Sequence, residues 1–470
     1  MVSGPSLSPE LLAIAHRAEE AAADAGLSFF EVVFEMLDAA DVNAIAAYGG
    51  FPVRYASWRF GMEYERLARG YDWGLSKIYE LVVNHDPTIA YLVRSNSLME
   101  QKLVMAHVMG HADFFKNNAW FAPTERHMLE RFDDHARRLQ ESVDRHGQDR
   151  VERFLDRALS LEPLMDPHGS LRRFRASAHR AAQDAPADGR SLAERNRDAL
   201  GALMEGSSTG AGGAPKDREV PTFDVLRFLC AHADLEPWER EALWIVHAEA
   251  EYFLPQRMTK IINEGWASLW HSRLLTGGLL DASEVVEFAD CHSGATQAAP
   301  GQLNPYKLGL DLFRHAERRG LDVFRLRSVH NDVSFVDEVL DEDFIARSAL
   351  FVTDTARRGG GAKIGSRDAF EVKQALLRSL AWGGQPRIEL IEVHDGAVRD
   401  MVLRHDHDGR DLKLDEAGEM LRTIEGLWKG PVHLLTKEGD EARRLTSDGG
   451  ELRMRDDGAA KPRAPQAQAG

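Results

Sequence analysis

Apolar residues recur every three or four positions through most of the chain, which is the pattern of amphipathic helices. The pattern runs through residues 1–165 and resumes over residues 221–380. After about residue 380 it changes to short alternating runs, RIELIEVHD and AVRDMVLRHD, followed by a helical segment, LDEAGEMLRTIEGLW, and a strand-like run, PVHLLT. Alternation over a few residues indicates strands. The sequence therefore predicts a mainly α chain with a small α+β domain of β-β-α-β order at residues 381–454.

Two segments have few residues that could form a core. Residues 166–220 are rich in Arg and Ala and contain the run GSSTGAGGAPKD, so we expect a flexible insertion there. Residues 455–470 are polar and rich in Pro, Gly and Ala, which predicts a disordered tail. The predicted helical core thus has two parts, residues 1–165 and 221–380, with the insertion between them.

Composition and charge narrow the class of protein. The 470 residues include 58 Lys and Arg against 75 Asp and Glu, a formal net charge of −17, which argues against nucleic-acid binding. Two cysteines, Cys230 and Cys291, cannot support a disulfide-rich secreted fold. The N-terminus lacks the pattern of a signal peptide, and the sequence has no uncharged apolar run long enough to span a membrane. We therefore expect a cytoplasmic protein.

A pair of histidines four residues apart is the first candidate for chemistry. His107 and His111 lie in the run LVMAHVMGHADFF, where helical spacing places both imidazoles on one face, within reach of one cation. With 19 histidines in the chain, about one such pair is expected by chance. The apolar surroundings favour a site, and Gly110 predicts a close approach to the helix backbone. Glu100 lies on the same face, but with Ser97 it fits a helix capping box, so we assign it a structural role.

The second candidate is the segment NEGWASLWH, residues 263–271. Glu264 and His271 are seven positions apart and therefore share one helix face. Their simplest interpretation is a buried Glu–His hydrogen bond. Together with His-x-x-x-His, however, the Asn-Glu-Gly-aromatic-Ala pattern resembles the two zinc-ligand helices of the gluzincin metallopeptidases. This resemblance implies a divalent metal, zinc by its N/O ligand set, held by His107, His111 and Glu264. His271 is then either a fourth ligand or a partner that orients the site.

The pattern departs from the gluzincins at the residue after the first histidine. Those peptidases have a glutamate there that activates water as general base, whereas this chain has Val108, which takes no proton. His247 and Glu251 lie one helical turn apart, upstream of Glu264, and could supply the missing group. We assign candidate catalytic roles to Glu251, with Glu249 as its alternative, and to His271. The alternative for His247 and Glu251 is an ordinary pair on a helix surface.

Four long segments carry a resemblance to a family. They are FPVRYASWRFGMEYERL (51–67), YDWGLSKIYELVVNHDPTIAYLVRSNSLMEQKLVMAHVMGHADFFKNN (71–118), YFLPQRMTKIINEGWASLWH (252–271) and NPYKLGLDLF (304–313). By these segments the chain is identified as a member of the stage V sporulation protein R family, called SpoVR-like. The resemblance implies a role in spore cortex formation or in stress and stationary-phase signalling. It also implies two partners, a serine protein kinase and a von Willebrand A-domain protein.

Two functional hypotheses follow. The first is a metal-dependent hydrolase with a helical zincin-like core and a degenerate gluzincin-type site, acting by analogy on an amide bond in a peptide or peptidoglycan fragment. The second is a non-catalytic scaffold that holds a structural metal or none and binds the kinase complex. Geometry separates them, because a closed site of four protein ligands is structural, whereas three ligands and an open position are typical of catalytic zinc.

Overall fold

The computed structural model describes residues 2–3, 7–72, 80–184, 220–295, 303–354, 363–395 and 399–456. Most of the predicted flexible insertion (185–219) and nearly all of the predicted disordered tail (457–470) lie outside the described residues. The described start of the insertion includes a helix, Gly169–Asp184.

The described residues are mainly helical. The helices are α1 (Pro9–Asp24), α2 (Ala39–Ala47), α3 (Trp58–Asp72), α4 (Leu98–Asn117), α5 (Met128–His146), α6 (Gln148–Ser160), α7 (Gly169–Asp184), α8 (Val225–His232), α9 (Pro237–Met258), α10 (Lys260–Leu274), α11 (Val285–Ala295), α12 (Pro305–Arg318), α13 (Val323–Val329), α14 (Asp332–Val339), α15 (Glu342–Arg347), α16 (Ala369–Leu380) and α17 (Leu414–Trp428). Over the part of the chain that is described, no helix is both long and apolar enough to cross a membrane.

The strands of the described residues are shorter and fall into three sheets. They are β1 (Val2–Ser3), β2 (Val32–Leu37), β3 (Glu80–Val83), β4 (Thr88–Val93), β5 (Val352–Asp354), β6 (Lys363–Ser366), β7 (Ile388–Asp395), β8 (Arg399–His405), β9 (Val432–Glu438), β10 (Glu441–Asp448) and β11 (Glu451–Asp456). The sheet orders are β1-β2-β4-β3, β5-β6 and β11-β10-β9-β8-β7.

Contacts divide the chain into two units. The first comprises Met1–Arg145, Ser170–Gly210 and Tyr252–Gly383, and the second comprises His146–Gly169, Ala211–Glu251 and Gly384–Gly470. The second unit thus contains α6, α8 and most of α9 together with the C-terminal sheet. The hydrophobic pattern had assigned those three helices to the helical core.

The sheet of the first unit corrects the prediction that residues 1–165 are almost entirely helical. Strand β2 pairs in parallel with β1 and β4, and β3 pairs antiparallel with β4. The segments VVFEML and TIAYLV are short apolar runs, and periodicity alone does not distinguish such a run from a piece of buried helix. Their β-branched and aromatic residues favour strands.

The C-terminal part confirms the predicted β-β-α-β order as β7, β8, α17 and β9. Strands β8 and β9 are parallel and are joined through α17. Two further strands, β10 and β11, extend the sheet as an antiparallel hairpin. The pattern did not predict them because β11 is largely exposed, so its side chains show no regular apolar alternation.

Side-chain caps begin two of the helices at the centre of the first unit. Asn304 accepts hydrogen bonds from the backbone N–H groups of Tyr306 and Lys307, with Pro305 in the first turn of α12. Ser97 and Glu100 form the predicted capping box of α4: Ser97 Oγ accepts from Glu100 N at 3.2 Å, and Ser97 N donates to Glu100 Oε2 at 2.7 Å. The structural role assigned to Glu100 is therefore confirmed.

Replacing the Ser97 cap is expected to weaken the helix that carries both candidate histidines. Ser97→Ala should lower the free energy of unfolding by about 1 kcal/mol, the usual cost of losing a serine N-cap. Urea unfolding measures this change. Ser160→Ala is a control, because the Ser160 hydroxyl donates only to Arg157 O within its own helix. Equal unfolding free energies for wild type and Ser97→Ala would contradict the assigned capping role.

Three helices pack closely at the centre of the first unit, with α10 in contact with both α4 and α12. A Cβ atom added to Gly110 would lie 2.6 Å from Ala267 Cα. A Cβ added to Gly265 would lie 2.4 Å from the carbonyl carbon of Gly309. The predicted close approach at Gly110 is confirmed, and it comes from the backbone of α10. These glycines allow the helix axes to approach closely enough for polar side chains on α4 and α10 to meet.

Candidate metal centre

The two histidines of the His-x-x-x-His motif lie side by side in the interior of α4. His107 and His111 are 3% and 7% exposed, and their ring centroids are 4.6 Å apart with the rings nearly perpendicular. Most of the surrounding helix is buried, including Val108 next to His107. The helix therefore places two imidazoles in an apolar interior, where their ring nitrogens need partners.

Glu264 of α10 faces both rings. Its Oε2 lies 3.6 Å from His107 Nε2 and 3.5 Å from His111 Nε2, and its side chain is 17% exposed. These three residues are one of the groups in which every candidate ligand atom lies within 4.8 Å of the others. The structure thus brings together the three residues predicted as metal ligands, although α4 and α10 are far apart in sequence.

Two polar atoms of this cluster have no hydrogen-bond partner among the described residues. His107 Nε2 and Glu264 Oε2 are buried and have no hydrogen-bond partner. Distances of 3.5 and 3.6 Å exceed those of N–H···O hydrogen bonds. In tetrahedral coordination, zinc bonds of about 2.0–2.1 Å put neighbouring ligand atoms about 3.3 Å apart. The spacing is therefore close to that of ligands around one small cation, and the donor set fits zinc.

Hydrogen bonds at the opposite ring nitrogens orient both histidines. Asn263, which precedes Glu264, has its Oδ1 2.9 Å from His111 Nδ1. A carbonyl oxygen only accepts, so His111 Nδ1 donates to it, which leaves Nε2 as the nitrogen that faces Glu264 and is available to a metal ion. His107 Nδ1 lies 2.8 Å from His271 Nδ1. Such bonds fix ring orientation and tautomer in metal sites.

His271 is engaged through both of its ring nitrogens. Its Nδ1 meets His107, and its Nε2 lies 2.9 Å from His292 Nδ1 on α11. Burial, with a smaller effect of the neighbouring His107 and His292 rings, lowers the pKa of His271 well below its usual value. His271 is therefore neutral near pH 7. Of its two predicted roles, this geometry favours the orienting partner over the fourth ligand.

Electrostatics around Glu264 favour its anionic form. Burial by itself would raise the pKa of the Glu264 carboxyl, but His107 and His111 outweigh that effect and hold the pKa well below its usual value. A carboxylate that is ionised at neutral pH is the form that binds a metal ion. The cluster thus combines one negative charge with two imidazole nitrogens, which are the donor types of a zinc site.

Glu251, the other candidate catalytic residue, belongs to the second unit and is not a member of the cluster. It lies near the end of α9, partly exposed. His247 is 1% exposed, and its Nε2 lies 3.4 Å from Asp224 Oδ2. The interpretation of His247 and Glu251 as a surface pair is therefore wrong for His247. The sequence could not show this, because Asp224 precedes a different helix, α8.

Two other His/acid groups lie among the described residues, but their central histidines are satisfied. His85 Nε2 is 3.1 Å from Glu130 and its Nδ1 is 3.1 Å from Pro87 O. His315 Nε2 is 2.9 Å from Asp341, and its Nδ1 accepts from Arg347. Hydrogen bonds thus satisfy the ring nitrogens of both histidines. In the cluster of His107, His111 and Glu264, called the His107 cluster below, two buried atoms have no hydrogen-bond partner among the described residues.

Comparison with known proteins agrees with the sequence resemblance. The family described as SpoVR like protein matches residues 7–385, and the SpoVR-like C-terminal domain matches residues 386–439. The chain belongs to the SpoVR-like family. All three members of the His107 cluster lie within the first match.

A curated relative of this SpoVR-like chain is the Uncharacterized protein YcgB of Escherichia coli (strain K12). The two are 34% identical over 293 residues, which cover 57% of this chain and 56% of the relative. The chain therefore matches only a little more than half the length of that relative. No solved structure matches the chain significantly.

Proposed function

We propose that this SpoVR-like protein is a cytoplasmic metal-dependent hydrolase. Its divalent ion, zinc by the donor set, would be held by His107 Nε2, His111 Nε2 and Glu264 Oε2. The observation that supports this most is the convergence of these atoms with two of them buried and unpartnered. Two histidines and a glutamate are a known ligand set of catalytic zinc, which keeps a coordination position open.

The bound ion would supply Lewis-acid chemistry, lowering the pKa of water and polarising a carbonyl group. The residues of the chain would hold and orient it: Asn263 and His271 fix the two imidazoles, and Glu264 contributes the negative charge. Val108 cannot accept a proton, so the acid–base role would fall to a group outside the His-x-x-x-His motif. The proposed substrate class is an amide bond in a peptide or peptidoglycan fragment, which rests on the resemblance to gluzincins.

Metal content and hydrolysis test the proposal on the full chain. Protein prepared with added zinc is expected to retain about one equivalent by elemental mass spectrometry and to cleave peptide or peptidoglycan-fragment amides. Glu264→Gln should lose both the metal and the activity, because it removes the charged ligand. Wild-type protein without metal after this preparation would exclude the hydrolase.

A non-catalytic scaffold is the second candidate, and Val108 is the observation that favours it. A buried valine occupies the position of the general base. In this alternative the protein would bind a serine protein kinase and a von Willebrand A-domain protein and act in spore cortex formation or stress signalling. A metal-loaded protein with no amide hydrolysis and with direct binding to the purified kinase would favour the scaffold.

A further inference from the structure

The imidazoles of His107, His271 and His292 form a hydrogen-bonded line from the candidate metal centre to α11. His107 Nδ1 lies 2.8 Å from His271 Nδ1, and His271 Nε2 lies 2.9 Å from His292 Nδ1. His271 is 3% exposed, whereas His292 is only partly buried. The ring of His292 stacks on Phe288, one turn earlier on the same helix, with centroids 5.6 Å apart. The line thus joins a buried residue to a more accessible one.

Ion pairs between the buried Lys102 of α4 and two acids join the beginning of α11 to α4. Lys102 of α4 is 2% exposed, and its Nζ lies 3.0 Å from Asp281 Oδ2 and 2.7 Å from Glu284 Oε2. These two acids form the capping box of the short turn that leads into α11. The element that carries His292 is therefore attached to the helix that carries His107, independently of the imidazole contacts.

Hydrogen bonds between neutral imidazoles have a direction. A neutral ring has one N–H and one nitrogen lone pair, so a ring that donates at one nitrogen accepts at the other. His271 is hydrogen-bonded at both nitrogens, and consequently its two bonds must run the same way. The line has two allowed arrangements, with every proton pointing toward α11 or every proton pointing toward the metal centre.

We infer that an ion on His107 Nε2 selects one direction of this line and thereby sets the tautomer of His292. The inference rests on the proposed metal site. An ion on Nε2 leaves the only His107 proton on Nδ1, which donates to His271 Nδ1. His271 then carries its proton on Nε2 and donates to His292 Nδ1. His292 must accept at Nδ1 and keep its own proton on Nε2.

The metal-free protein does not have this constraint. His107 can then carry its proton on Nε2, which lies 3.6 Å from the Glu264 carboxylate, and accept at Nδ1. In that arrangement both bonds reverse, and His292 becomes a donor at Nδ1. Whether the buried centre holds a metal ion thus determines which ring nitrogen of the partly exposed His292 carries the proton. By the same coupling, His292 is a positioning residue that favours the metal-binding tautomer of His107.

Nitrogen-15 NMR of the histidine rings tests the inference in the full chain. Zinc is added to metal-free protein labelled in its histidines, and long-range proton–nitrogen spectra identify which ring nitrogen is protonated. We expect His292 to be in the Nε2–H form, with Nδ1 unprotonated, in the zinc-loaded protein. A His292 that stays protonated on Nδ1 while His107 and His111 bind zinc would overturn the inference. If His107 and His111 show no zinc binding at all, the proposed metal site fails instead.

Variants give a second test, with the zinc dissociation constant as the readout. His271→Phe interrupts the line and should weaken zinc binding about 10- to 100-fold, the usual effect of losing a partner of a metal-binding histidine. His292→Leu should cause a smaller loss, and His292→Asn should restore near-wild-type affinity because its Oδ1 replaces the accepting Nδ1. His330→Leu, a control at a partly buried histidine on α13's C-terminal end, should change affinity less than twofold. Equal affinities for His292→Leu and His292→Asn would contradict the positioning role.

Discussion

Glu264→Gln is expected to abolish metal retention while leaving the fold intact. The substitution keeps the size and shape of the side chain but removes the negative charge that faces His107 and His111. An amide is a much weaker ligand for zinc than a carboxylate, so affinity should fall at least ~100-fold. Elemental mass spectrometry should show the content falling from about one equivalent to a small fraction.

Glu130→Gln provides the matched control for this experiment. It removes the carboxylate of the His85–His127–Glu130 group, whose His85 is already satisfied by hydrogen bonds. Its metal content should equal that of the wild type. If Glu130→Gln lost the metal and Glu264→Gln retained it fully, the ion would bind at the His85–His127–Glu130 group and not at His107, His111 and Glu264. Circular dichroism on both variants would show that neither change unfolds the chain.

Gly265→Ala is expected to have the largest effect on stability. The new Cβ atom would lie 2.4 Å from the carbonyl carbon of Gly309 and 2.5 Å from its Cα, which are backbone atoms of the opposite helix. A backbone cannot rotate out of the way as a flexible side chain can, so α10 and α12 must separate. Overpacking of this kind costs about 3 kcal/mol or more, which urea unfolding would detect as a large loss in unfolding free energy.

Gly61→Ala is the corresponding control, since Gly61 lies inside α3 and nothing is within 4 Å of its added Cβ. Alanine in an exposed helix interior should stabilise by about 0.5–1 kcal/mol. Gly265→Ala should also weaken zinc binding, because Glu264 is the adjacent residue and moves with its helix. A Gly265→Ala protein as stable as the wild type would mean that the helices are not in contact at this point.

Local signals made much of the fold predictable from sequence. Helix caps such as Ser97 and Asn304 involve residues within one turn, so their side chains and their positions are read directly from sequence. Short strands were harder: β2 and β4 are apolar runs whose length and pattern also suit a buried helix. Strands β10 and β11 present mostly polar side chains, and hydrophobic periodicity carries no information there.

The candidate site likewise has contacts that the sequence could predict and contacts that it could not. The pairing of His107 with His111 follows from helical spacing, and the facing position of Glu264 was expected only through resemblance to another family. Asn263 was visible beside Glu264, but its hydrogen bond to His111 depends on how two helices cross. No local signal connects His292 to His271, because 21 positions and a change of helix separate them. Contacts of this kind are set by tertiary packing.

The second unit is formed by three separate stretches of the chain, and this affects how the chain folds during synthesis. Phe228 of α8 packs near Trp428 of α17, and Thr222 exchanges backbone hydrogen bonds with Leu390 of β7. On the ribosome, residues 211–251 emerge long before residues 384–470. The apolar surfaces of α8 and α9 that pack within this unit are therefore exposed, and prone to aggregation, until the sheet has been translated. Shortening the chain at Gly383 would make that exposure permanent, so it would produce a misfolding-prone protein and not a clean removal of one domain.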